Sequence, residues 1–341
     1  MSIVTLGIDL AKNIFALHGV DGAGKMVLIK PRVSRNQLVT LIAQLPPCLI
    51  GMEACSGAHH WGRVFQRHGH TVKLMAPKLV APYRMSGKRG KNDAADAAAI
   101  CEAVTRPSMR FVPLKDEHQQ ATLCLHRTRQ GFVEERTAAY NRIRGLLAEF
   151  GVVLPQSPER LRREVAPNMD ALPGWARRCI SDLLAHADSI ENRLVEYDRA
   201  ISEIARHDER SRRMMRLRGI GPTSASALLA SLGAGHDFRN GRQVAAWLGL
   251  TPGQYSSGGK SRLGSITKAG DAYLRGLLVN GARSVIASLG EKQDRFSRWV
   301  RSLMERRGYW RTAVAIAAKN ARMAWAILKF GDDFKHEPLT A

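Results

Sequence analysis

The chain has 341 residues, 45% of them hydrophobic, and a formal net charge of +22 from 52 lysines and arginines against 30 aspartates and glutamates. This composition is that of a globular rather than a disordered chain and favours two or three domains with a polyanionic partner. No apolar run approaches the roughly 20 residues that span a bilayer, the opening residues lack a basic leader with a cleavage site, and Cys48, Cys55, Cys101, Cys124 and Cys179 show no C-x-x-C spacing. The expectation is therefore a cytoplasmic protein with no membrane partner, and with reduced, mostly buried thiols in neither a zinc site nor a disulfide framework.

Residues 1–113 alternate apolar strands, over 4–19, 25–30, 49–53 and 71–75, with helical stretches over 36–44 and 60–68, which is α/β organisation. Asp9 falls in the first apolar run, Leu6-Gly7-Ile8-Asp9-Leu10, and Glu53 ends another, Leu49-Ile50-Gly51-Met52-Glu53. Each carboxylate lies where a neighbouring strand can present the other. Between residue 75 and the next element, Arg84, Lys88, Arg89 and Lys91 crowd a glycine-bearing stretch that is either a solvated loop or one that orders on nucleic acid. Asp93 and Asp96 then open an alanine-rich helix, three apart and on one face. Any one of these acids alone reads as a solvated cap. Together, four hard oxygen donors suit magnesium, with manganese as an alternative, and their order is that of a ribonuclease-H-like nuclease domain.

From 116 to 150 there is no proline, and Leu125, Phe132, Ala139 and Leu146 recur every seven residues, with Ile143 and Phe150 on a second stripe. After a proline-bearing break over 155–173, a second long helical pattern runs from about 175 to 207 through Ile180, Leu183, Leu184, Ile190, Leu194, Ile201 and Ile204. The pair makes either an antiparallel hairpin or an intermolecular coiled coil. Arg127, Arg129, Arg136, Arg142 and Arg144 form a solvated or a nucleic-acid-binding face.

The last third opens with Arg210, Arg212, Arg213, Arg216 and Arg218, followed by Gly219-Ile220-Gly221-Pro222. A Gly-Ile-Gly turn between helices is either a plain turn or a helix-hairpin-helix, in which backbone N–H groups meet a phosphate. A helix over 241–248 precedes Tyr255-Ser256-Ser257-Gly258-Gly259-Lys260-Ser261-Arg262. That segment is a flexible linker or a loop whose serine acts as a nucleophile, with Lys260, Arg262 and Lys268 steadying phosphate oxygens.

Gly7-Ile8-Asp9-Leu10-Ala11-Lys12, Met52-Glu53-Ala54, Lys91-Asn92-Asp93-Ala94-Ala95-Asp96-Ala97, Gly219-Ile220-Gly221-Pro222, Trp247-Leu248-Gly249-Leu250-Thr251-Pro252 and Tyr255-Ser256-Ser257-Gly258 together resemble the DEDD-type insertion-sequence transposases, the family numbered one-ten. Residues 45–53 and 256–260 further resemble its eleven-eleven subgroup. The resemblance implies a RuvC-like α/β domain over 1–113, a helical coiled-coil domain over 114–208, and a mostly helical transposase domain with a helix-hairpin-helix over 209–341. It also implies a magnesium-binding tetrad of Asp9, Glu53, Asp93 and Asp96. Ser257, with Ser256 as its competitor, is then the nucleophile that forms a phosphoserine link to DNA. Implied partners are donor and target DNA, a structured noncoding bridge RNA as guide, and further copies of the chain in a dimer or a synaptic tetramer, in which the metal domain of one protomer meets the serine domain of another. From the charge and turn chemistry of their segments, Arg84, Lys88, Arg89, Lys91, Arg216, Arg218, Gly219, Gly221, Lys260, Arg262 and Lys268 are the candidate nucleic-acid contacts. Three other readings stay open from sequence: a DNA invertase of the same chemistry, a RuvC-like structure-specific nuclease that needs no serine, and a non-catalytic nucleic-acid-binding protein.

Overall fold

The structure, a computed structural model, describes residues 2–84 and 92–331. Its contacts divide the chain into two compact units, Met1–Glu117 and His118–Ala341. The second contains both the long helices and the last third.

The first unit opens with an antiparallel meander of β1 (Thr5–Asp9), β2 (Ile14–Val20) and β3 (Met26–Ser34). The apolar stretch expected as one strand over 4–19 is thus a hairpin, broken where Leu10 to Asn13 carries the polar Lys12 and Asn13. Helix α1 (Arg35–Ala43) starts from Ser34, whose backbone N–H donates to Gln37 Oε1 in a capping box. Then follow β4 (Leu49–Glu53), α2 (Ala58–Arg67), β5 (Thr71–Met75), the short α3 (Pro77–Val80), α4 (Asp93–Val104) and β6 (Phe111–Val112). The sheet order is β3-β2-β1-β4-β5-β6, with β4 parallel to β1 and to β5, and β6 antiparallel at the edge. Leu6, Ile8, Phe15, Leu38, Ile50, Met52, Phe65 and Leu74 fill one core.

In the second unit, α5 (Glu117–Ala148) and α7 (Gly174–His207) flank α6 (Pro158–Val165), a helix in the proline-bearing break that sequence left unassigned. Ring contact of Phe132 with Tyr197, an ion pair of Arg129 with Asp198 and a hydrogen bond from Tyr140 to Glu191 fix α5 and α7 as an antiparallel hairpin within the chain. The buried face of α5 includes Leu123, His126, Ala139, Tyr140, Ile143 and Leu147, whereas Leu146 of the expected heptad stripe and Phe150 of the second stripe are 41% and 47% exposed. A strict seven-residue repeat drifts by about 20° per heptad around a helix of 3.6 residues per turn, which carries Leu146 to the margin of the buried face, and Phe150 lies beyond the end of α5 at Ala148. Helices α8 (Glu209–Met215), α9 (Pro222–Leu232) and α10 (Gly241–Trp247) lead to a two-stranded hairpin, β7 (Pro252–Gln254) and β8 (Leu263–Ile266). Helices α11 (Ala272–Ala287), α12 (Arg295–Arg307) and α13 (Tyr309–Phe330) close the unit around Leu228, Leu278, Ile316 and Trp325.

Two sequence expectations need correction or restriction here. Cys55, Cys124 and Cys179 are exposed and only Cys48 and Cys101 are buried, so the thiols are free but not mostly buried. Among the described residues, no helix is long and apolar enough to cross a membrane.

His126 is fully buried and ties three helices together. Its Nδ1 lies 2.9 Å from the Tyr273 hydroxyl on α11, and its Nε2 lies 2.9 Å from Ser226 Oγ on α9, which in turn donates to the Pro222 carbonyl. The set closes with a neutral imidazole assigned as Nε2–H: Tyr273 donates to Nδ1, and Nε2–H donates to Ser226. Burial, helped by the nearby Arg129 cation, pulls the histidine down to about 4. Because the unfolded chain binds this proton near 6.5, the stability from the neutral network is complete above pH 6.5 and is lost as pH falls toward 4, an effect of about 2–3 kcal/mol. Denaturant melts from pH 7.5 to 4 should therefore show falling stability in the native chain and a flatter profile in His126→Gln.

Candidate active site

The four acids come together because β1 and β4 let α4 lie unusually close. Gly7 and Gly51 are partners in the parallel ladder. A Cβ on Gly7 would sit 2.2 Å from the Ala97 carbonyl oxygen, and one on Gly51 would sit 2.8 Å from Val104 Cβ. Side chains two residues apart on a strand share a face, so Asp9 and Glu53, two residues beyond these glycines, point to the same side as α4. Asn92 caps that helix, its side-chain oxygen accepting from the Ala95 N–H at 2.8 Å. Asp93 and Asp96 lie in the first turn, Asp93 exposed and Asp96 buried.

Their proximity is read most clearly at Asp9. Burial pushes its carboxyl up to about 6, and the negative charges of Asp96, Asp93 and Glu53 add to the rise, while Arg84 opposes it. Glu53 is raised as well, by burial first, with Arg84 lowering it and Asp96 raising it further. Among the described residues, Arg84 is the cation that pairs with these acids: its Nη2 lies 3.1 Å from Glu53 Oε1 and its Nε lies 2.7 Å from Asp96 Oδ1. The second contact is an ion pair without hydrogen-bond alignment, since Arg84 Nε has no partner in that geometry. Sequence placed Arg84 among nucleic-acid contacts; here its guanidinium faces the acids. Lys88, Arg89 and Lys91 lie outside the described residues. As the side chains lie, no three carboxylate, histidine or cysteine groups among the described residues are close enough to hold a metal ion.

The serine segment is a tight hairpin tip and not a linker. Gly258 and Gly259 have φ of 55° and 77°, the left-handed pair that a two-residue turn of this hand demands. The Lys260 N–H donates to the Ser257 carbonyl at 3.0 Å, and the Tyr255 N–H donates to the Arg262 carbonyl at 2.9 Å. Ser256 Oγ is committed to this frame, accepting from Gln254 Nε2 at 2.9 Å and from the Arg262 N–H at 3.1 Å. Among the described residues the Ser257 hydroxyl makes no hydrogen bond, and Ser257, Lys260, Arg262 and Lys268 are all exposed. Lys268 holds a left-handed φ of 53° at the hairpin's base, its N–H donating to the Gly249 carbonyl at 3.1 Å.

The Gly219-Ile220-Gly221 turn joins α8 to α9. Gly219, at φ 85°, packs on α11 so closely that a Cβ would meet the Gly281 carbonyl oxygen at 2.7 Å. Gly221 faces open space at the start of α9, which carries no side-chain cap. Arg218 is held at 2.9 Å by Asp294, while Arg216 stays exposed. On α5, Arg129 pairs with Asp198 and Arg144 donates to the Pro155 and Gln156 carbonyls, so two of the five arginines expected to form a face serve the hairpin itself.

The comparisons with known proteins agree in one direction. The family model described as Transposase IS116/IS110/IS902 family matches residues 211–298, and the DEDD domain model of IS110 elements, described as Transposase, matches residues 6–151. The chain is 45% identical to a probable family 20 transposase of Pseudomonas aeruginosa, over 96% of this chain and 97% of that one. It is 39% identical to the transposase for insertion sequence element IS1328 of Yersinia enterocolitica, covering 98% and 99%. To the transposase for insertion sequence element IS1111A of Coxiella burnetii the figures are 38% identity, 96% and 90%.

Proposed function

This chain belongs to the IS116/IS110/IS902 family of transposases, and from that premise we propose that it recombines DNA with a serine nucleophile and a metal-binding acidic tetrad. What supports the reading most is the convergence of Asp9, Glu53, Asp93 and Asp96 at the N-terminus of α4, where burial and then the three like charges raise the Asp9 carboxyl. Such a cluster is costly unless a cation joins it. The acids fit magnesium or manganese in donor type and charge, although Arg84 now pairs with two of them. When bound there, a divalent ion would polarise the scissile phosphate.

Ser257 would supply the attacking oxygen. Its Oγ forms a bond to phosphorus as the bond to the departing strand breaks, giving a phosphoserine and a free hydroxyl on the released end. Attack by a strand hydroxyl on that phosphoserine then returns the proton-bearing serine and rejoins DNA, so bond energy is conserved and no nucleotide cofactor is consumed. The free Ser257 hydroxyl, against the doubly bonded Ser256, favours the former as nucleophile. Lys260, Arg262 and Lys268 would steady phosphate oxygens. Lys88, Arg89, Lys91, Arg216 and Gly221 remain proposed nucleic-acid contacts. Donor and target DNA, a structured guide RNA and further copies of the chain are the proposed partners.

Two measurements test this reading apart from catalysis by the serine. In metal-free buffer, Arg84→Gln should lower the unfolding free energy by about 1–2 kcal/mol, because Glu53 and Asp96 lose their cation in a half-buried setting. Magnesium or manganese should restore the melt if the acids take a metal; no response to either ion would remove the metal. The guide is tested by purifying the chain with its nucleic acid: binding should weaken by orders of magnitude between low and moderate salt, and ribonuclease treatment should stop recombination. Recombination that persists unchanged after ribonuclease would remove the RNA.

A further inference from the structure

We infer that the corner between α12 and α13 is a binding surface for an unpaired nucleic-acid strand, with Trp310 as its stacking platform. The corner lies beyond residue 298, outside both family-model matches. Trp310 is 64% exposed and Tyr309 is 38% exposed. The indole is nonetheless held in place: the Tyr309 ring meets it edge-on at 5.3 Å, and the Arg283 guanidinium from α11 sits 5.6 Å from its centroid. A large apolar ring kept in water and braced from two sides is organised for contact.

Charge selects the partner. Residues 295–311 contain six arginines and one acidic residue, Glu305. Arg283, Arg306, Arg307 and Arg311 are exposed, and among the described residues none of them pairs with a carboxylate. The C-terminus of α12 accounts for Arg306 and Arg307, since cations are favoured there. It does not account for Arg311, which lies in the first turn of α13, where the helix dipole disfavours a cation and no side chain caps the N–H groups. An anion at this corner satisfies both. A second copy of a +22 chain would be repelled by the same arginines. Duplex bases hide their faces in the stack, whereas unpaired bases offer them to an aromatic ring beside phosphate-binding cations. The ligand is therefore a single strand or loop, of DNA or RNA.

The test uses full-length protein and fluorescein-labelled dT20, U20 and a 20-base-pair DNA duplex, read by anisotropy at one fixed salt concentration. Trp310→Ala should weaken one or both single strands about ten-fold or more and the duplex by less than about two-fold; the strand more affected identifies DNA or RNA as the source. Trp310→Phe, which keeps a ring face, should retain most of the binding. Photocrosslinking to a strand carrying 5-iodouracil should mark the tryptic peptide 308–311. Thermal melts of each variant separate loss of binding from loss of fold. Unchanged single-strand affinity in a folded Trp310→Ala, equal weakening of the duplex, Trp310→Phe as weak as the alanine variant, or a change only in self-association by sedimentation would each overturn the assignment.

Discussion

Asp9→Asn should reduce DNA rearrangement by about three orders of magnitude or more while making the protein more stable. The two effects have one cause. Asp9 is half-buried among Glu53, Asp93 and Asp96, and its carboxyl sits near 6, so at pH 7 the folded chain carries an anion that the unfolded chain tolerates better. Removing the charge while keeping the side chain's shape should add about 1–2 kcal/mol after allowance for solvent screening. An acidic cluster kept at a cost to stability is the signature of a working site. Nucleic-acid affinity should hold, since a single acid contributes little against a net charge of +22. Glu53→Gln and Asp96→Asn should lose activity equally, but without the same gain, because each already pairs with Arg84. In vitro recombination with magnesium, set beside thermal melts, checks both halves; near-normal activity in two or more of these variants would remove the tetrad.

Ser257→Ala should lower strand exchange on the order of 10⁴-fold, the scale on which removing a covalent nucleophile acts. It should leave the melt unchanged, because the Ser257 hydroxyl holds nothing in the hairpin. Ser256→Ala should behave differently. It removes the acceptor for Gln254 Nε2 and the Arg262 N–H, each bond worth about 0.5–1.5 kcal/mol, so the tip loosens and activity falls a few-fold while chemistry persists. A water-activating nuclease would instead keep cutting in Ser257→Ala.

Strands β4 and β5 lie over the residues that sequence assigned to them, because short apolar runs bounded by turn residues carry an unambiguous period. The ends of α5 and α7 fall within two residues of expectation for a similar reason: no proline interrupts either long pattern. The side chains that α5 buries were less legible. His126 is polar and reads as surface until Tyr273 and Ser226, 147 and 100 residues away, supply its partners. Likewise α6 begins at Pro158, tolerated in a first turn but indistinguishable in sequence from a break. At the candidate site the four acids were visible as residue types at strand ends and in a first helical turn. Arg84 as their counter-ion was not, since its partners lie 31 and 12 positions away on other elements. The commitment of Ser256 also needed the hairpin, because the strand return that brings Arg262 back to it leaves no mark in Tyr255-Ser256-Ser257-Gly258.

Covalent trapping tests the central claim most directly. The wild-type chain is incubated with a DNA substrate nicked so that the cleaved strand cannot be rejoined, digested with trypsin and nuclease, and the peptide 243–260 is fragmented in a mass spectrometer. The expected result is a phosphonucleotide on Ser257, with none on Ser256 and none in Asp9→Asn. Efficient cleavage that leaves only free DNA ends and an unmodified 243–260 peptide would contradict it.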